Sequence, residues 1–150
     1  MDINQKAPVL ANAEIIVDAP VHVVWDVLSD IRNWMEWNPS VSMVSMYGEF
    51  EPLTEFHWKA DGVTIVSTLR EIEPRKRLLW TGRTPGIRAT HLWLLEEMDE
   101  RTRVKTEETF EGFLARLLKG PLSNTLTTSL EKGLHYLKLE SENRAQSSGT

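Results

Sequence analysis

The sequence predicts an α+β fold: one antiparallel β-sheet with an apolar and a polar face, its apolar side covered by a long C-terminal helix. Two stretches carry that reading. Between Ser40 and Gly112, apolar and polar residues alternate through about six consecutive runs separated by turn residues. After Gly120-Pro121, Leu122, Leu126, Leu130, Gly133, Leu134 and Leu137 recur at intervals of three and four, the spacing of one helix face. An apolar sheet face needs a cover, and this helix of about 20 residues, roughly 30 Å long, reaches across it.

Composition narrows the class. A chain of 150 residues suits a single domain. Its 41% hydrophobic and 26% charged residues are ordinary for a soluble protein, and a net charge of -5 argues against general nucleic-acid binding, which needs a basic surface. No apolar run reaches the roughly 18 residues of a membrane span. Met1 to Lys6 carries no apolar signal core, so a cytoplasmic location is expected. The lack of cysteine excludes disulfides, thiolate catalysis and cysteine-held metals. Six Trp against two Tyr is an unusual allotment, because Trp both fills cores and walls pockets for flat, greasy ligands.

Taken in order, residues 1–12 read as a flexible lead-in, 13–140 as the domain and 141–150 as a polar flexible tail. Glu14 to Asp18 is a short strand. Pro20 opens a helix at a position where its missing N–H costs nothing, and Val21, Val24, Trp25 and Leu28 form its buried stripe. Asp30 caps a second short helix, Ile31 to about Trp37, which Asn38-Pro39 ends. Val41 to Tyr47 begins the sheet. Asp61-Gly62 is a hairpin turn; with Ala60 opposite Val63, Phe56, Trp58, Ile65, Ser67 and Leu69 share the inner face. Leu78 and Trp80 continue that face on the next strand. A turn near Asp99-Glu100 closes the last hairpin, and Leu95 opposite Val104 sets His91 opposite Glu108. Phe113, Leu114, Leu117 and Leu118 make a short helical piece that Gly120-Pro121 separates from the long helix.

The inner face holds the candidate chemistry. His22 and His135 lie on polar helix sides and His57 on the outer sheet face, so His91 is the inward histidine. It suits a general acid/base or a donor to a ligand carbonyl; the plainer alternative is a core histidine satisfied by Glu108 or a backbone carbonyl. Glu108 is a buried carboxylate needing a partner, and the pair is either His⁺/Glu⁻ or two neutral groups. Its plain reading is a brace for the sheet. Ser67 and Thr106 are inward hydroxyls with no triad around them. His91, Glu108 and an edge Glu71 do not make a converging ligand set, so no metal is expected, and no cofactor. Trp58, Trp80 and Trp93 are core residues by default, yet together they form an aromatic lining. A face carrying such rings beside polar groups closes less tightly than an aliphatic one.

The order of elements, with Ile16-x-x-Ala19-Pro20-x-x-x-Val24-Trp25-x-x-Leu28-x-Asp30, Trp34-x-x-Trp37-Asn38-Pro39 and Glu71-x-x-Pro74-x-x-Arg77-Leu78-x-Trp80, resembles the START-related, birch-allergen-like superfamily (SRPBCC). His91-x-Trp93, Thr102-Arg103-Val104, Glu108-x-Phe110-x-Gly112 and the closing helix extend the likeness over residues 13–140, most closely to the polyketide cyclase/dehydrase-like branch. Leu53 departs from it, standing where related sequences tend to carry glycine. The resemblance implies a helix-grip fold, a curved sheet wrapped around the long helix with an internal cavity, and Trp34 and Trp37 flanking the cavity mouth. Three functions follow as expectations. The first is binding or transport of a hydrophobic small molecule (a lipid, a sterol-like compound or an aromatic polyketide) held by Trp58, Ser67, Trp80, His91, Trp93, Thr106, Glu108, Leu126 and Leu130. The second is a cyclase/dehydratase with His91 and Glu108 as catalytic residues moving protons. The third is a stress-response adaptor with a vestigial cavity. The protein is expected to be a monomer or a homodimer.

Overall fold

A computed structural model describes residues 2–148. Seven antiparallel strands form one sheet in the order β1-β7-β6-β5-β4-β3-β2. They are β1 (Val9–Val17), β2 (Val41–Tyr47), β3 (Glu55–Ala60), β4 (Val63–Glu73), β5 (Arg77–Thr84), β6 (Ile87–Met98) and β7 (Arg101–Glu111). Strands β2 to β7 follow one another as a meander, and β1 joins beside β7. Between β1 and β2 lie α1 (Val21–Ser29) and a 3₁₀ helix (Ile31–Glu36); after β7 come α2 (Phe113–Leu117) and α3 (Lys119–Ser148). This is a helix-grip fold.

The predicted registers hold. Ala60 pairs with Val63, Trp58 with Ile65 and Phe56 with Ser67. Leu95 pairs with Val104 and His91 with Glu108. Register shifts between Val41 and Met43 and between Leu69 and Glu71 bend the strands, as bulges do, and bring the inner face around α3. Helix α3 lies against β1, α1 and β7. Its two halves do different work. Leu134 and Leu137 join the main core with α1, the 3₁₀ helix and the inner residues of β3 to β7. Leu126 and Leu130 belong to a separate cluster with Val9, Ala11 and Ala115.

Both predicted flexible ends need correction. β1 begins at Val9, five residues ahead of Glu14, because Val9 and Ala11 are buried and the strand pairs with β7 from Val9 opposite Phe110. Ahead of it, Ile3 packs on Leu79 and Leu92 of the outer sheet face, and Asn4 Nδ2 donates to Glu111 Oε1 at 3.0 Å. At the other end, α3 continues through 141–148. Ser141 is buried, Lys138 Nζ donates to Ile16 O at 3.0 Å, and Glu142 accepts from both Lys138 and the Asp18 N–H. These contacts tie the last turns to the end of β1. They also show that Lys138 is only half exposed rather than on a solvated side. Met1 and residues 149 and 150 of the predicted ends lie outside the described residues.

Gly120-Pro121 does not break the last helix away from its lead-in as a loop. Both residues sit in the first turn of α3, where a missing N–H leaves no bond unmade, and Leu122 N–H already donates to Leu118 O at 3.0 Å. The short α2 covers less than predicted. Leu114 packs against Gly86, where an added Cβ would approach Leu114 Cγ at 2.6 Å, whereas Phe113, Leu117 and Leu118 are exposed.

Leu53 adopts φ 77° and is 73% exposed, while its N–H donates to Leu69 O at 2.7 Å. The left-handed conformation is costly for a residue with a Cβ, at about 1–2 kcal/mol, and glycine adopts it without that cost. Part of that gain is offset by the greater freedom of glycine in the unfolded chain, about 0.4–1 kcal/mol. Leu53→Gly is therefore expected to raise stability by up to about 1.5 kcal/mol, read as a higher urea midpoint at unchanged slope. A lower midpoint would contradict the strain assignment.

Candidate functional site

The strands and α3 leave a cavity of about 280 Å³ between the inner sheet face and the N-terminal half of the helix. Trp58, Ser67, Trp80, His91, Trp93 and Glu108 line it from the sheet, and Leu126 and Leu130 from α3. The aromatic wall is continuous. Trp34 lies 5.2 Å from Trp58 and 5.4 Å from Trp80 between ring centroids, and Trp80 lies 6.3 Å from Trp93. Trp58 Nε1 donates to Ser67 Oγ at 3.0 Å, which holds that indole in place and leaves the serine proton free for another acceptor.

His91 is 7% exposed. Its ring stacks on Trp93 at 5.0 Å and meets the edge of Trp80 at 4.8 Å. Nε2 lies 2.8 Å from Thr106 Oγ1, and Nδ1 lies 3.4 Å from Glu108 Oε1. Burial pushes the His91 imidazole down to about 3 and the Glu108 carboxyl up to about 8, so both are neutral at pH 7. The geometry agrees. A charge-assisted bond between imidazolium and carboxylate would be roughly 2.7–2.9 Å long, well short of the observed 3.4 Å.

Thr106 does not line the cavity. It sits behind His91, buried, with Oγ1 also 3.0 Å from Leu92 O. Trp34, expected at the mouth, is 4% exposed and packs edge-on to Phe56 and Trp58, with Nε1 donating to Leu28 O at 2.9 Å. Trp37 also lines the cavity. Two small residues that shape the space were not singled out as site residues. At Gly82 a Cβ would come within 3.0 Å of Ser67 Oγ, and at Gly133 within 3.9 Å of Trp93 Cη2. Glycine inside a strand signals such a close approach, so Gly82 was detectable. Trp25 stays out of the lining and packs in the core against Phe50 at 6.2 Å.

Residues 9–142 match the family model described as polyketide cyclase/dehydrase and lipid transport. No curated protein matches the sequence. Among solved structures, a hypothetical protein from Helicobacter pylori is 24% identical with TM-score 0.82, covering 93% of this chain and 91% of that one. The Zhui aromatase/cyclase from Streptomyces sp. R1128 is 17% identical with TM-score 0.81, covering 93% and 97%. A START superfamily protein from Mycobacterium smegmatis is 13% identical with TM-score 0.69, covering 92% and 97%. At these identities the likeness is one of fold. No helix among the described residues is long and apolar enough to cross a membrane.

The neutral pair leaves a mark on stability. Glu108 holds its proton up to about 8 in the folded chain against an ordinary 4.5, so stability falls as pH rises between those values. His91 gives up its proton at about 3 against an ordinary 6.5, so its contribution rises with pH in that interval. The two slopes oppose one another from 4.5 to 6.5, and above 6.5 the Glu108 slope stands alone. Urea denaturation is expected to show stability declining from pH 6.5 to 8, at up to about 1.4 kcal/mol per unit. Glu108→Gln should flatten that decline. A wild-type profile already flat there would rule out a neutral carboxyl.

Proposed function

Because the chain belongs to the polyketide cyclase/dehydrase and lipid transport family, we propose that it binds one hydrophobic small molecule in the cavity between sheet and helix. The observation that carries this reading is the wall of Trp34, Trp58, Trp80 and Trp93 closing on the His91–Glu108 pair, where burial disfavours charge on both groups. Such a site gains affinity by desolvating an apolar body and orients it through a few polar groups. The cavity's 280 Å³ is roughly twice the 150 Å³ that accommodates benzene in an engineered core, which suits about two fused rings or an aliphatic body of that bulk. It also equals about nine water volumes at roughly 30 Å³ each, which argues against a vestigial cavity and the adaptor reading.

A second reading is supported by the protonation of the pair. A neutral imidazole and a carboxylic acid are a base and an acid ready for use at the same pH. His91 would take a proton from carbon beside a ligand carbonyl while Glu108 gives one to the carbonyl oxygen. As that enol closes on a second carbonyl, its O–H proton would return to Glu108 and the His91 proton would pass to the new alkoxide, which resets the pair. That is cyclase-type chemistry. The binding reading stands first because it needs only the cavity and its lining.

Native mass spectrometry of the purified protein tests for a retained small molecule, and quenching of tryptophan fluorescence by 2-acetylnaphthalene tests the cavity directly. Trp93→Ala is expected to weaken that affinity by about thirtyfold, as loss of a large buried aromatic contact does, and Glu108→Gln by less than about tenfold. No retained molecule together with no quenching would exclude the binding reading. Turnover of a polyketide-like substrate that Glu108→Gln abolishes at unchanged affinity would favour the enzyme.

A further inference from the structure

We infer that Thr106 is a positioning residue that fixes the proton direction at the cavity floor, so that the His91–Glu108 pair selects ligands carrying a hydroxyl beside a carbonyl. This rests on the binding reading above and adds which polar edge the ligand presents.

The hydrogen bonds behind His91 fix the direction. Thr106 Oγ1 touches two groups, Leu92 O at 3.0 Å and His91 Nε2 at 2.8 Å, and has one proton to give. A backbone carbonyl only accepts. If the threonine proton went to His91, two oxygens would face each other at 3.0 Å with no hydrogen between them. With the proton on Leu92 O, Thr106 Oγ1 accepts from His91, and Nε2 must carry the imidazole proton. All three groups are then satisfied inside the protein, as buried polar groups require.

A neutral imidazole with its proton on Nε2 presents a bare lone pair at Nδ1. That nitrogen is on the ring edge turned to Glu108, 3.4 Å from Oε1, too far for a full hydrogen bond. Each group therefore keeps capacity for a ligand atom: Nδ1 accepts a hydroxyl proton, and the carboxylic acid donates to a carbonyl oxygen. Two adjacent oxygens on one ligand edge, one a donor and one an acceptor, match this pair. An ether in place of the hydroxyl offers Nδ1 nothing. A ligand carboxylate would meet the lone pair head-on. His91 thus acts as an acceptor, not as the donor to a carbonyl that its sequence context suggested.

The test compares 2-acetyl-1-naphthol, its methyl ether and 2-acetylnaphthalene, with affinity read by tryptophan quenching, beside nitrogen-15 NMR of the imidazoles at neutral pH. In the wild type, His91 is expected as the Nε2–H tautomer, and the naphthol should bind about tenfold tighter than its ether. Thr106→Val, equal in shape but without the acceptor, should mix the tautomers and bring the ratio close to one. Thr106→Ser, which keeps the hydroxyl, should restore both. A wild-type Nδ1–H tautomer overturns the inference, as does a ratio that Thr106→Val leaves unchanged. If none of the three compounds binds and no molecule is retained by the purified protein, the binding reading fails, and the tautomer still decides the role of Thr106.

Discussion

The register of the β6–β7 hairpin is the constraint on which the rest of this protein depends. Side chains alternate across a strand with a period of two, so Leu95 opposite Val104 commits every later pair to a face. A slip of β6 by one residue against β7 would expose His91 and Trp93 and bury Leu92 and Leu94 against the helix in their place. The turn that sets this register is tight, with Asp99 at φ 60° and Met98 paired to Arg101. β5 then inherits the alignment, with Trp80 opposite His91 and Leu78 opposite Trp93. The aromatic wall and its polar floor thus follow from one hairpin.

The cavity persists because the helix that could fill it is divided in character. Toward its C-terminal half, Leu134 and Leu137 press into the main core. Nearer the start, Thr125, Ser129 and Gly133 interrupt the leucines where the helix faces the cavity. On the sheet side Gly82 withdraws a side chain beside Ser67 and Ile65. Large indoles paired with small residues leave a space with firm walls, since stiff rings held by neighbours cannot collapse into it. The main core and the Val9–Ala115–Leu126 cluster close the structure around that space.

What the sequence disclosed and what it hid divide along physical lines. Alternation and a single turn dipeptide, Asp61-Gly62, were enough to place Trp58 opposite Ile65, because a strand's faces are a local property. The start of β1 was not legible, since Ala11, Asn12 and Ala13 lack the β-branched signature and owe their extended form to pairing with β7. The outer apolar cluster was hidden for a similar reason. Leu79 and Leu92 break the simple rule of a polar outer face, and the distant Ile3, with Leu10 and Leu94, covers them. At the site, His91 and Glu108 could be read from register, but Trp34 reaches the aromatic cluster through the packing of a 3₁₀ helix, which no periodicity reports. Alternation places Thr106 on the inner face but does not tell a cavity contact from an internally bonded hydroxyl. Thr106 supports the histidine rather than facing the cavity.

That last distinction separates affinity from specificity. An uncharged acid and base give a ligand little net attraction, because each must exchange a hydrogen bond with water for one with the ligand. On the binding reading, the tryptophans would supply most of the free energy, and would do so for any flat apolar body of suitable size. Discrimination must come from the penalty of leaving a buried donor or acceptor unmatched, which exceeds the gain from matching it. Fixing the proton on one imidazole nitrogen makes that penalty directional: a tautomer free to switch would accept either polarity and discriminate little. On this proposal, Thr106, absent from the cavity lining, is therefore where the selectivity of the floor would be set, while the walls would decide how tightly anything is held.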